Sequence, residues 1–333
     1  MRDAFRFAVG AGVGAAALGA YLLYAGPGDV LERATAVPTS ALALVALLVV
    51  AEALADGIGV WASVRPLNGG VSLPSSARFA LAGDFFDTLS PAGPVSSEPI
   101  MARFFSVATD TGYSEALGVR GVAKYAKSAA QLLVSTVIAG VLLLGGPVPR
   151  YVLTLLGGAA LAVLLAGVLL VWGYGHLSQV LVAVLAPVVR RVSALFGEDP
   201  HGREAVSDAV ERFWTRAFEF RDAPGLLGLV ALGGVFEQLL TAAALAVALG
   251  GTGASVAFLP VLAVVPLPQA ASVVPVPASL GAYDVLLAGA IVAVTGAPAA
   301  GAAAAVLVVR TLSLLLALGA GGVATASLRG WRP

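Results

Sequence analysis

The residues best suited to chemistry lie in the stretch LSPAGPVSSEPIMARFF, residues 89–105, inside an otherwise apolar part of the chain. Its three prolines each remove a backbone N–H donor and bar the preceding residue from the helical region, so an unbroken helix cannot run through the stretch. Broken backbone at membrane depth is tolerated only beside protein or water, because each unpaired polar group costs several kcal/mol in hydrocarbon. Pro91, Gly93 and Glu98 are therefore candidates for a polar site.

A second stretch, PVPASLGAYD at residues 275–284, follows the first after 186 positions and has a similar arrangement. In each stretch a proline lies seven positions before an acid, and a base follows that acid by 26 positions. The two sets are Pro91, Glu98 and Lys124 in the first, and Pro277, Asp284 and Arg310 in the second. The shared spacing indicates two related turns, the second containing Gly281. We predict that Arg310 pairs with Asp284 or Glu237, and that Lys124 approaches Glu98 or Glu52.

The same offset aligns Glu52 with Gln238, which is next to Glu237, and both positions fall in earlier apolar segments. Glu52 and Asp56 are one helical turn apart and therefore share a helix face. Acids within a span usually face the interior of a bundle or water; the alternative is that the span ends early and both acids lie at the interface. We predict two repeat halves, residues 37–146 and 224–328.

Composition assigns the chain to membrane proteins, since 59% of residues are hydrophobic, 11% are charged and mean hydropathy is +0.95. The formal net charge is zero and no basic patch is present, so nothing indicates nucleic-acid binding. No cysteine is available for thiolate metal sites, and neither His176 nor His201 has a partner at metal-ligand spacing. We therefore expect no cofactor, no metal site and no enzymatic activity.

Hydropathy predicts an all-α polytopic membrane protein, a single integral domain over residues 1–333 with about six full spans and two re-entrant helical hairpins. The predicted spans are residues 7–24, 38–64, about 121–145, 151–174, 225–249 and 299–328. Short helices on either side of the two Pro-acid turns form the hairpins. Lys124 and Lys127 fall at the entrance of the third span, where snorkelling to lipid headgroups is the alternative to a buried role.

Arginine placement predicts that both chain termini are cytoplasmic and that the protein is a multi-pass component of the cell (plasma) membrane. Residues 199–222 form a polar segment whose apolar side chains, including Val206, Val210 and Phe213, recur at steps of three and four. We predict a cytoplasmic surface amphipathic helix with its arginines directed toward headgroups. With this topology the two hairpins enter from opposite faces, which is an inverted-topology repeat.

The turns SPAGPVSSEP and PVPASLGAYD, followed by Lys124 and Arg310, resemble the lysylphosphatidylglycerol synthase transmembrane-region family, also called flippase-like. The resemblance covers nearly the whole chain, although Ala278 and Ser279 replace a glycine pair and Asp284 stands for glutamate. Some members carry an aminoacyl-transferase domain, but the longest polar segment here is only about 25 residues. The resemblance thus implies the membrane part alone, and movement of lipids between leaflets.

Three functions stay open at this level. The first is a flippase-like protein for a lipid with a polar or anionic headgroup: a phospholipid, a glycolipid or a polyprenyl-phosphate lipid. The second is an accessory or scaffold protein of envelope or glycolipid assembly, and the third is a small-solute transporter or intramembrane enzyme. Membrane lipids are the expected partners, and a homo-oligomer or an envelope-biosynthesis partner is compatible with each function.

The predicted topology can be tested on the segment 199–222. Because the native chain has no cysteine, Arg203→Cys and Arg212→Cys each provide one labelling site. We expect both to be protected from a membrane-impermeant maleimide in intact cells and labelled after permeabilisation. Labelling of either site from outside intact cells would contradict the topology.

Overall fold

A computed structural model describes residues 16, 18–89, 94–145, 150–195, 203–268 and 281–330, and in this part of the chain every regular element is a helix. Pro91 and Gly93, residues 275–280 of the second turn and most of the predicted first span lie outside the described residues.

The helices follow one another with short connections. In chain order they are α1 (18–25), α2 (Pro27–Thr35), α3 (Thr39–Val64), α4 (Leu73–Leu89), α5 (Pro94–Thr109), α6 (Tyr113–Gly145), α7 (Arg150–Trp172), α8 (Tyr174–Leu195), α9 (Arg203–Phe218), α10 (Pro224–Gly251), α11 (Phe258–Val264), α12 (Ala282–Thr295), α13 (Ala299–Leu316) and α14 (Gly322–Ser327). A 3-10 turn, Glu219–Arg221, follows α9, and a π-helical turn, Ala317–Gly321, joins α13 to α14.

Five stretches of the described chain are long and apolar enough to cross a membrane. They are Thr39–Val64, Tyr113–Leu144, Tyr151–Leu169, Pro224–Gly251 and Ala299–Ser327. Each corresponds to a predicted span, and α3, which carries Glu52 and Asp56, continues as a helix to Val64.

Two predicted boundaries need correction. The third span begins at Tyr113 rather than near Gly121, because the backbone N–H of Gly112 donates to the Glu115 carboxylate at 3.1 Å and starts the helix there. Lys124 is therefore about three turns and Lys127 about four turns inside α6, and neither is at its entrance. The helix break predicted around the prolines does not extend to Pro99, which lies inside α5. Pro99 is near the N-terminal end of this helix, where a proline removes few helical hydrogen bonds.

The helices of the two predicted halves pack against each other in related ways. α3 lies along α10, α6 also packs on α10, and α13 packs on α3. Gly233 lies where α10 meets the backbone of α3: a Cβ built on Gly233 would lie 3.6 Å from the Cα of Gly59. Small residues at this crossing allow the two backbones to approach closely.

The segment predicted to be amphipathic is helical as α9 and buries one face against α6 and α8. Its buried side chains are Val206, Val210, Trp214 and Ala217. The predicted period is confirmed, but Trp214 is more deeply buried than Phe213. The arginines of this segment were predicted to be directed toward headgroups, and Arg216 is not. Its guanidinium donates to the Pro66 carbonyl and pairs with Glu115 and Glu219.

The contact between α3 and α4 predicts the effect of one glycine substitution. A Cβ at Gly57 would lie 2.9 Å from the Cα of Ala77, whereas a Cβ at Gly59, half a turn away, meets no atom within 4 Å. Overpacking typically costs about 1–3 kcal/mol. We expect Gly57→Ala to lower the thermal unfolding temperature in detergent, and Gly59→Ala to leave it unchanged or raise it. Equal temperatures for both variants would contradict this packing.

Candidate functional site

The Glu98 carboxylate is bound by two bases on α6. The guanidinium of Arg120 donates twice, from Nε at 3.0 Å and from Nη2 at 2.9 Å, which is the bidentate geometry typical of arginine–carboxylate pairs. The ammonium of Lys124 is 3.1 Å from the same carboxylate and 3.9 Å from that of Asp87 on α4. Lys124 therefore links both arms of the α4–α5 hairpin to α6.

Lys127 lies between two acids from different halves of the chain. Its ammonium is 2.9 Å from the Asp56 carboxylate on α3 and also pairs with Glu237 on α10. The snorkelling alternative is therefore wrong for Lys127, whose charge is held inside the helix bundle. One base connects α3, α6 and α10.

Side-chain amides extend the polar contacts between α6 and α10. Gln131 donates to the carbonyl of Gly234 at 2.8 Å. Gln238 donates from its amide nitrogen to the hydroxyl of Ser135 at 2.7 Å and to the carbonyl of Leu262 at 2.9 Å. Because these groups are buried, the hydrogen bonds fix the register of the two helices.

In the second half, Arg310 on α13 pairs with Asp284 on α12, with 3.8 Å between Nε and Oδ1. The second carboxylate oxygen of Asp284 accepts the backbone N–H of Gly281 at 3.0 Å and so caps the helix start. Gly281 has φ +81°, a conformation that side-chain-bearing residues rarely adopt. The guanidinium of Arg310 also lies 5.0 Å from the Tyr283 ring centroid.

These groups surround a cavity of about 400 Å³ between the spans. Its walls carry charged side chains from α3, α4, α6, α10 and α13, amides from α6 and α10, and apolar side chains. The charged ones are Glu52, Asp56, Asp84, Asp87, Lys124, Lys127, Glu237 and Arg310. A chamber with both signs of charge and apolar walls can hold a polar or charged group together with attached hydrocarbon.

Several predicted site residues meet in this cavity, namely Glu52, Asp56, Lys124, Glu237 and Arg310. Glu98 and Asp284 contact the cavity bases without lining the cavity, and Gly281 acts as a helix cap. Pro91 and Gly93 lie outside the described residues. Among the residues described, no three acid, histidine or cysteine groups are arranged to hold a metal ion.

In the sequence analysis Arg120 had no role, and Lys127 was left between a snorkelling role and a buried role. With the helix start at Tyr113, a signal becomes visible, because Arg120, Lys124, Lys127 and Gln131 recur at steps of four, three and four and form one polar stripe on α6. In the sequence analysis the third span began near residue 121. Arg120 therefore lay outside the predicted span, and the polar stripe was not recognised.

Comparison of the chain with known protein families finds a match. Residues 6–321 match the lysylphosphatidylglycerol synthase transmembrane region. The chain belongs to this family. No curated protein and no solved structure matches the chain. The matched residues include every residue of the described site, which is therefore part of the family's membrane region.

The Arg120–Glu98 pair predicts a stability effect. Removing one partner of a buried ion pair costs about 3–5 kcal/mol, because the other charge stays buried without compensation. We expect Arg120→Gln to lower the unfolding temperature strongly and Arg120→Gln with Glu98→Gln to recover part of the loss. Arg212→Gln, a matched change on the exposed side of α9, should have little effect. A double variant less stable than Arg120→Gln would contradict a direct pair.

Proposed function

We propose that this protein moves a lipid with a polar or anionic headgroup between the two leaflets of the plasma membrane. The headgroup occupies the cavity while the acyl chains stay in the surrounding hydrocarbon. The activity moves an intact lipid, and no covalent bond is made or broken. The family's name, which refers to a phospholipid synthase, supports a lipid as the substrate.

The observation that carries the proposal is the charged cavity between the spanning helices. Its volume of about 400 Å³ lies within the range of roughly 300–1,000 Å³ common for ligand sites. Charged side chains in a membrane interior are costly and usually mark a substrate or ion pathway. Apolar residues such as Leu245, Leu287 and Val309 share the same walls and suit the hydrocarbon next to a headgroup.

Lys124 and Arg310 are the bases proposed to meet a phosphate. The Lys124 side chain is 36% exposed within the described structure, and its acid partners lie at 3.1 and 3.9 Å, so one contact is loose. Arg310 is 3.8 Å from its partner, also longer than a tight pair. A phosphate can replace a loosely held carboxylate at either base and form a shorter, charge-assisted hydrogen bond. In the absence of lipid, the acids hold the bases in position.

The proposal includes an inverted-topology repeat. The packing of α6 on α10 and of α13 on α3 is reciprocal between the halves 37–146 and 224–328. α4 and α5 form one hairpin, α11 and α12 are its counterpart, and we propose that the two enter from opposite faces. With both termini cytoplasmic, rocking of one half against the other exposes the cavity to each side in turn.

A scaffold role is the second candidate, and one observation favours it. The tightest contacts join helices to each other: Arg120 to Glu98 and Lys127 to both Asp56 and Glu237. If such pairing were the only role of the charges, the protein would assemble envelope components without moving lipid.

Purified protein in phosphatidylcholine vesicles distinguishes the two functions. A trace of phosphatidylglycerol with a fluorescent acyl chain reports lipid movement, since dithionite bleaches only the outer leaflet. If the native protein moves lipid, dithionite should bleach more of the fluorescence than the half that lies in the outer leaflet. The proposal also predicts loss of this extra bleaching with Arg310→Gln, Asp284→Asn and the combined variant, because a headgroup site needs the base correctly placed.

The Arg212→Gln protein provides the matched control, because it removes an arginine from an exposed helix face. It should move lipid as the native protein does. Each variant's elution volume in detergent and unfolding temperature report folding. Full lipid movement by a well-folded Arg310→Gln protein contradicts the headgroup role. An inactive native protein whose combined variant is more stable than either single variant indicates the scaffold.

A further inference from the structure

The cavity contains more acids than bases. Its described walls carry five carboxylates and three basic side chains. The bases are already engaged: Lys127 by Asp56 and Glu237, Lys124 by Asp87 and Glu98, and Arg310 by Asp284. No described base lies within ion-pair distance of Glu52 or Asp84. An anionic headgroup entering this cavity therefore meets an excess of negative charge.

Of these two acids, Glu52 lies on a helix that contacts four other helices of the cavity wall. Its helix, α3, packs against α4, α6, α10 and α13. The charged groups that line the cavity from those helices are Asp84 and Asp87, Lys124 and Lys127, Glu237, and Arg310. On α3 itself Asp56 lies one turn away, and from α12 the Tyr283 ring completes the lining. Glu52 thus shares the cavity wall with four other acids, and every base of that wall is paired with an acid other than Glu52.

Two buried acceptors on α10 supply an independent observation. One oxygen of Glu237 and the amide oxygen of Gln238 have no hydrogen-bond partner, although the residues are only 4% and 1% exposed and both line the cavity. Leaving a buried acceptor unsatisfied costs about 1–3 kcal/mol. The cavity wall next to Glu52 is therefore built to accept a hydrogen from something that enters it, and a protonated carboxyl group has such a hydrogen.

A proton fits this wall better than a metal ion does. No three acid, histidine or cysteine groups of the described chain are placed to hold a metal, whereas a proton needs one carboxylate. A protonated carboxyl also changes from an acceptor into a donor. It can then donate to a neighbouring acceptor such as the free oxygen of Glu237.

We infer that Glu52 binds a proton, and that this proton is the coupling ion of the proposed lipid movement. The inference rests on the proposed function. The Glu52 carboxylate takes a proton from water at one membrane face and becomes a neutral carboxylic acid. One negative charge leaves the cavity, and an anionic headgroup then enters at lower electrostatic cost. Release of the proton to water at the other face restores the carboxylate, so headgroup and proton move in the same direction.

The test uses the full-length protein in phosphatidylcholine vesicles with a trace of acyl-labelled phosphatidylglycerol. Lipid movement is measured at equal pH on both sides and with an imposed difference of about one pH unit, a tenfold ratio of proton activity. An entrapped pH dye reports proton flux. We expect the gradient to accelerate movement in its own direction severalfold, with proton flux that depends on the labelled lipid.

Glu52→Gln cannot bind the proton, so its rates with and without the gradient should be equal. Glu211→Gln, the same change on the exposed face of α9, should respond to the gradient as the native protein does. Gradient stimulation that persists in Glu52→Gln overturns the assignment. If the native protein moves lipid at a rate that does not depend on the pH difference, or that follows a sodium gradient at equal pH, the proton is not the coupling ion. The proposed lipid movement itself is then still supported. Absence of any lipid movement refutes the proposed function itself.

A second measurement needs no variant and decides the assignment if Glu52→Gln does not fold. A membrane-soluble carbodiimide reacts with protonated carboxyl groups, and mass spectrometry locates the adduct. We expect an adduct on Glu52 in the native protein, with a yield that falls severalfold as pH is raised and a parallel loss of gradient-driven lipid movement. Modification of the other cavity acids with none on Glu52 would overturn the assignment.

Discussion

The rest of the structure depends on how Lys127 is neutralised. An isolated charge at the centre of a bilayer costs about 3 kcal/mol on insertion scales, and Lys127 is about four turns inside α6, a helix long and apolar enough to cross a membrane. Asp56 and Glu237 supply the compensation, one from each predicted half of the chain. The pairing requires α3, α6 and α10 to meet at one level. The charges therefore fix which helices are neighbours, in a bundle whose apolar surfaces alone would be interchangeable.

Close helix packing and the polar cavity depend on each other. Gly233 allows α10 to approach the backbone of α3 close to Asp56 and Glu237, so the two acids can share one base. On the opposite side, α4 and α13 contribute Asp84, Asp87 and Arg310 to the walls, and the space between them remains unfilled. Close contacts on one side thus leave an open chamber on the other, which is large enough for a polar group to enter between the helices.

The ion pairs of the site differ in how tightly their partners are held. The Arg120–Glu98 pair is short and bidentate, and it fixes the hairpin helix α5 to α6. The contacts of Lys124 with Asp87 and of Arg310 with Asp284 are longer and open onto or border the cavity. A short, buried pair resists exchange, whereas a long pair beside a chamber can exchange its carboxylate for a phosphate. This division separates pairs that join helices to each other from pairs that a ligand can replace.

The sequence by itself determined the membrane class, the helix order and most helix boundaries, because hydropathy and proline positions act locally along the chain. It also indicated that Lys124 and Arg310 have acid partners, since an unpaired charge inside a span is too costly. Only the tertiary structure decided which acids those are, that Lys127 joins the two halves, and that Arg120 secures Glu98. Those contacts join residues 22 to 110 positions apart. They depend on helix rotation and crossing, which local sequence periodicity does not specify.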